Sequence, residues 1–125
     1  MKFTVIAVRV LLGALYVFAS AAFLFDLITP PPPTGNVKTF MEGVLATGYL
    51  MNFVKVTELV CGIALVAGYF VPLAAVILAP ISLNIFLFHL YVDPQGLAVG
   101  IFVVLANLFL GYAYRDRFRP MLQPK

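Results

Sequence analysis

"MNFVKVTELVCGIALVAGYF", residues 51–70, is apolar along almost its whole length, yet it places Lys55 and Glu58 about one helical turn apart. A helix rising ~1.5 Å per residue needs about 20 mostly apolar residues to cross the hydrocarbon core of a bilayer. This stretch has that length. One unpaired charge near the bilayer centre costs at least ~2.5–3.5 kcal/mol on insertion scales, so two opposite charges on one helix can offset part of that cost by pairing inside a bundle, unless Lys55, the nearer to the outer surface, snorkels instead. Residues three, four and seven apart share a helix face. Lys55, Glu58 and Gly62 therefore form a polar and small stripe on a cylinder otherwise suited to lipid.

The rest of the chain has the same character. Its 125 residues are 63% hydrophobic and 10% charged, against roughly a quarter charged in a typical soluble domain. A chain this short is mostly surface when folded, so a bilayer must supply the apolar solvent. Length allows a single domain, read as residues 1–125. Besides Leu50–Phe70, three segments are long and apolar enough to span: Phe3–Ile28, Pro72–Val92 and Leu97–Tyr114. No alternating pattern suggests a membrane barrel. Prolines 30–33 exclude helix and predict a stiff extended loop. Gly68 and Pro72 frame one tight turn, and Asp93-Pro94-Gln95-Gly96 marks another. Thr39–Tyr49 is too mixed to span and is expected to lie along the interface or fold back over the bundle. The expected fold is all-α, an antiparallel four-transmembrane-helix bundle with an extracytoplasmic proline-rich loop.

Lys2 and the Ala19-Ser20-Ala21 triplet have the look of a signal peptide. Arg9 interrupts the apolar run, however, and Phe23-Leu24-Phe25 continue it past the triplet, so the segment is read as a retained span. Arg115, Arg117, Arg119 and Lys125 crowd the C-terminus, while Lys38 alone marks the opposite loops. Basic residues favour the cytoplasmic side. With an even number of spans, both termini are expected there, in a multi-pass protein of a bacterial or archaeal cytoplasmic (inner) membrane. The basic tail reads as a juxtamembrane segment, and nucleic acid is not an expected partner. The single cysteine, Cys61, excludes an internal disulfide.

Each predicted span carries one polar or small seam: Arg9, Gly13, Tyr16 and Ser20; Lys55, Glu58 and Gly62; Pro80, Asn84 and Tyr91; Gly100, Asn107, Gly111 and Tyr114. Such seams turn toward one another in lipid. Glu58, Asn84 and Asn107 fall at one depth, with Arg9 about 10 Å away toward the other face. Glu58 is thus expected to be held by Lys55, by Arg9 or by both, with Asn84 and Asn107 adding hydrogen bonds. This group is either a packing network or a ligand pocket, and Glu58 is its best catalytic candidate. His89 is expected near the outer interface, bonded to Asp93 or to headgroups. One histidine cannot supply two axial haem ligands, and nothing is spaced to complete a zinc site with it. Neither a metal nor an intrinsic cofactor is expected.

The stretches "RVLLGALYVFAS" (9–20), "ATGYLMNFVKVTELVCGIALVAGYFVPLA" (46–74), "NIFLFHLYVDPQG" (84–96) and "AYRDRFRPML" (113–122) resemble the DoxX-like family of small four-helix membrane proteins. Lys55-Val-Thr-Glu58, followed by the glycine-bearing run and Phe70-Val71-Pro72, carries most of that resemblance. It implies that Lys55 and Glu58 match the family's buried charged pair, and Arg9 its early arginine. A lysine that the family pattern places late in span one is missing after Ser20. The resemblance also implies proximity to quinone chemistry. Three readings follow: an accessory or assembly subunit of a membrane redox complex, a quinone-binding oxidoreductase component using Arg9, Lys55 and Glu58, or a small oligomeric transporter. The expected partners are the lipid bilayer and either another membrane protein or further copies of the chain.

Overall fold

The computed structural model describes residues 2–27 and 32–124. Among these residues, six α-helices follow in order: α1 (Lys2–Leu24), α2 (Gly35–Ala46), α3 (Leu50–Ala67), α4 (Val71–Tyr91), α5 (Leu97–Ala113) and the short α6 (Arg115–Phe118). Four of the helical segments are long and apolar enough to cross a membrane, at 18 to 23 residues each. Only 22–28% of each spanning window is buried inside the protein. Most of every helix therefore faces outward, and outward-facing rings such as Phe3, Phe18 and Phe53 are more than half exposed. In water this surface would aggregate; in a bilayer it is the lipid-facing surface. The protein is a multi-pass, all-α membrane protein, a four-helix bundle whose neighbouring spans run antiparallel.

The turns show why the helices stop where they do. α1 ends at Leu24, four residues before the expected end, because Asp26 turns into the left-handed region (φ 52°). The Leu27 N–H then closes back on the Ala22 carbonyl at 3.0 Å. Asp is one of the few L-residues that tolerates this conformation. Ile28 and prolines 30 and 31 lie outside the described residues, while Pro32 and Pro33 have no regular structure. α3 ends at Gly68 (φ 84°), whose N–H and that of Tyr69 both bond the Ala64 carbonyl. This is the glycine C-cap that satisfies orphaned carbonyls. Three residues later α4 has begun, with Pro72 in its first turn, where its missing N–H does no harm.

The segment too mixed to span is helical from Gly35, earlier than the expected Thr39. Val37, Phe40, Met41 and Val44 recur at helical spacing opposite Asn36, Lys38, Thr39 and Glu42. α2 buries no residue, but its Phe40 ring lies 4.8 Å from that of Phe88 on α4, which places α2 along the flank of the bundle.

The spanning helices associate as two close pairs, α1 with α3 and α4 with α5; contact between the pairs is lighter. In the first pair the backbones touch. A Cβ at Gly13 would stand 2.8 Å from the Gly62 carbonyl oxygen, and one at Gly62 would stand 2.9 Å from that of Gly13. Small residues allow this approach, and dispersion rather than water exclusion rewards it in lipid. Leu12, Leu65, Leu78, Val103 and Leu110 fill the common core.

Candidate functional site: a polar seam and an aromatic cleft

Two polar groups occupy the bundle interior. The first is a hydrogen-bond chain. Asn107 on α5 donates through Nδ2 to the Ala75 carbonyl at 3.1 Å and accepts at Oδ1 from Ser82 Oγ at 2.9 Å. Ser82 has a single hydroxyl proton. Since that proton goes to Asn107, the Tyr16 hydroxyl 2.5 Å away must be the donor to Ser82. The lone pairs of the Tyr16 oxygen remain available as acceptors. Ser20 donates to the Tyr16 carbonyl at 2.6 Å, within its own helix. Tyr16, Ser20, Ser82 and Asn107 are all buried, so this chain stitches α1 to α4 and α4 to α5.

The second group is the ion pair. Lys55 Nζ lies 3.3 Å from Glu58 Oε2. The Glu58 residue is 3% exposed; the Lys55 side chain, at 21%, reaches the edge of a cleft with its ammonium 6.0 Å from the Phe23 ring centre. Among the described residues, Lys55 makes the only side-chain hydrogen bond to the Glu58 carboxylate. The cleft, about 430 Å³, is walled by Phe23, Phe40, Met41, Val54 and Phe88, with Lys55, Glu58, Asn84 and His89 as its polar residues. Behind it lies a smaller chamber of about 210 Å³, bordered by Leu15, Tyr16, Ala19, Val99 and Val103. Lys55, Glu58, Ile85 and His89 line both spaces. The partition between them is therefore largely ionisable.

Three expected contacts to Glu58, from Arg9, Asn84 and Asn107, are not made among the described residues; Asn107 bonds Ser82 and the Ala75 carbonyl instead. Arg9 does not reach Glu58. It lies at the far end of α3, with its guanidinium against the backbone of Gly68, because α1 and α3 run antiparallel and Gly13 already faces Gly62. Asn84 does not join the buried chain. It is exposed on the outside of α4 and lines the cleft instead. The inward face of α4 is Val71, Ala75, Leu78 and Ser82, turned away from the expected Pro80–Asn84–Tyr91 stripe. Ser82 thus holds the interior position that periodicity gives to Asn84. A signal for it does exist in the sequence: a lone hydroxyl in an apolar span, at helical spacing from small Ala75 and from Leu78. His89 bonds Asp93, as one expectation had it, but through the Asp93 backbone carbonyl at 3.1 Å from Nδ1. Its ring packs so tightly over Gly96 that a Cβ there would collide with Cε1 and Nδ1. With the carbonyl as acceptor, Nδ1 carries the proton, and in the neutral ring Nε2 is the free acceptor.

The sequence matches the DoxX family over residues 4–90. That is well over half of the chain, and the protein belongs to this family. Neither the curated proteins nor the solved structures offer a match.

Proposed function

We propose, with DoxX membership as the premise, that this chain is an accessory subunit of a redox complex in the cytoplasmic membrane of a bacterium or archaeon, with both termini on the cytoplasmic side, and that its part there is to hold a quinone headgroup. The observation that carries this reading is the Lys55–Glu58 pair set into the wall of a cleft that is otherwise aromatic and aliphatic. Ligand sites have this form: an apolar concavity with a few convergent polar groups. A quinone offers a flat ring for Phe40 and Phe88, a carbonyl oxygen to accept from Lys55, and in its reduced form a hydroxyl to donate to Glu58. Its isoprenoid tail suits the lipid-facing helices. The chain's one histidine and one cysteine provide no ligand set for an electron carrier, so electrons would be exchanged with a partner subunit. Lys55 and Glu58 would then bind and orient the ring.

The test is binding of a decyl-substituted benzoquinol, the form whose hydroxyl can donate to Glu58, to the purified chain in nanodiscs. Hydrogen bonds to charged groups contribute about 1.5–3 kcal/mol, so Glu58→Gln should weaken binding about tenfold or more while helicity stays unchanged. Equal affinity of wild type and Glu58→Gln would remove the reading.

A further inference from the structure

Of the cations set deep within the spans, Arg9 is the one that the cleft leaves without a role. Its Nε is fully enclosed and has no hydrogen-bond partner. No carboxylate of the described residues lies within salt-bridge distance, and no carbonyl or hydroxyl among them accepts a hydrogen bond from it. The guanidinium nevertheless has a close neighbour. The position of a Cβ on Gly68 would lie 2.9 Å from one terminal nitrogen, 3.1 Å from Cζ and 3.3 Å from the other nitrogen. The flat group therefore lies against the bare backbone where α3 ends. Gly68 provides both the left-handed turn and the room for this contact.

The level of the site in the bilayer follows from its neighbours. Tyr69 and Phe70, in the turn just beyond Gly68, are more than 70% exposed, and exposed aromatic rings at span ends mark the headgroup region. Lys2, Arg115, Arg117 and Arg119 lie at the same end of the bundle. The anion in reach of a half-buried guanidinium at that depth is a lipid phosphate. Three residues beyond Gly68, α4 begins at Val71 with no side-chain cap, so the positive end of that helix dipole adds to the attraction for an anion.

We propose that Arg9, together with the Gly68–Val71 turn, is a binding site for the phosphate of an anionic phospholipid in the leaflet on the side of the chain termini. A guanidinium presents two parallel N–H groups to two phosphate oxygens, a geometry that an ammonium cannot reproduce. The site is at the opposite end of α3 from the quinone cleft and does not depend on that reading.

The experiment is native mass spectrometry of the full chain released from nanodiscs of mixed phosphatidylglycerol and phosphatidylcholine. It is run on wild type, Arg9→Gln, Arg9→Lys and a control with Arg115, Arg117 and Arg119 all changed to Gln. The expected result is several-fold enrichment of retained phosphatidylglycerol on wild type and on the control, little enrichment on Arg9→Gln and an intermediate value on Arg9→Lys. Should Arg9→Gln fail to fold, the Arg9→Lys comparison decides, because it keeps the charge and removes the fork. No enrichment on wild type overturns the proposal. So does enrichment that stays at the wild-type level in the Arg9 variants or disappears in the tail control. A parallel thermal-shift series with inorganic phosphate separates the two sources of the anion: protection by free phosphate equal to that by phosphatidylglycerol overturns the lipid assignment.

Discussion

Gly62→Ala should destabilise the protein even though it replaces the second-worst helix former with the best. Propensity alone favours Ala over Gly by about 1 kcal/mol in a helix interior. At Gly62 the new methyl would lie 2.9 Å from the Gly13 carbonyl oxygen and from Val17 Cγ2, and 3.1 Å from the Val17 amide nitrogen. Ordinary contact begins near 3.4 Å, so α1 and α3 must part by about half an ångström at their crossing. Two of the three obstacles are backbone atoms and cannot rotate aside. Overpacking of this kind costs about 1–3 kcal/mol, which outweighs the propensity gain and leaves a net loss on the order of 1 kcal/mol. The same substitution has a built-in control. Gly111, in α5, and Gly43, in α2, have nothing within 4 Å of where an added methyl would sit, so Ala there should stabilise by up to about 1 kcal/mol. Reversible unfolding in mixed detergent micelles, followed by circular dichroism, measures all three. If Gly62→Ala shifts the midpoint in the same direction as Gly111→Ala, the backbone contact between α1 and α3 does not hold the bundle together.

Other perturbations separate the two polar groups. Asn107→Leu leaves the Ser82 hydroxyl proton without its acceptor and removes the interhelical bond to the Ala75 carbonyl; at about 0.6 kcal/mol for an average interhelical bond in a membrane and about 1.7 for the strongest, the loss should be roughly 1–3 kcal/mol in the same unfolding assay. Lys55→Gln leaves Glu58 enclosed without its cation and should destabilise by about 3 kcal/mol, while Lys55→Gln with Glu58→Gln recovers most of that, as expected for a broken buried pair; equal melting of the single and double variants would contradict it. Gly96→Ala puts a methyl into the His89 ring and should move the His89 ring nitrogen resonances in ¹⁵N spectra of the reconstituted protein, whereas Gly111→Ala should leave them in place.

Most of the fold is legible in the sequence because lipid imposes so narrow a choice. About twenty apolar residues in a row must be a spanning helix, and Gly68, Pro72 and Asp93-Pro94 punctuate the spans where the backbone itself turns. The pairing of Lys55 with Glu58 is legible for the same reason: they are three residues apart on one helix, and their contact needs no knowledge of any other helix. Contacts between helices are harder. Asn84 and Ser82 are two residues apart on α4 and point about 160° from one another, and both stripes contain small and polar residues. Which stripe turns inward is set by how α4 packs on α5, with Leu78, Leu110 and Val103 in one core, and periodicity alone does not encode that rotation. Charge alone points Arg9 toward Glu58. The register of α1 on α3 instead follows the Gly13–Gly62 crossing, which leaves Arg9 about three turns of α3 away from the carboxylate.

The division into two helix pairs has a mechanical consequence. Tyr16, Lys55 and Glu58 belong to the α1/α3 pair, whereas Ser82, His89 and Asn107 belong to the α4/α5 pair. The bundle resembles a book, with the Tyr16–Ser82–Asn107 bonds as its stitching and the Glu58 chamber in the gutter between the pages. A neighbouring protein that gripped only one cover would open or shut that gutter, and would change what surrounds Glu58 without ever touching it.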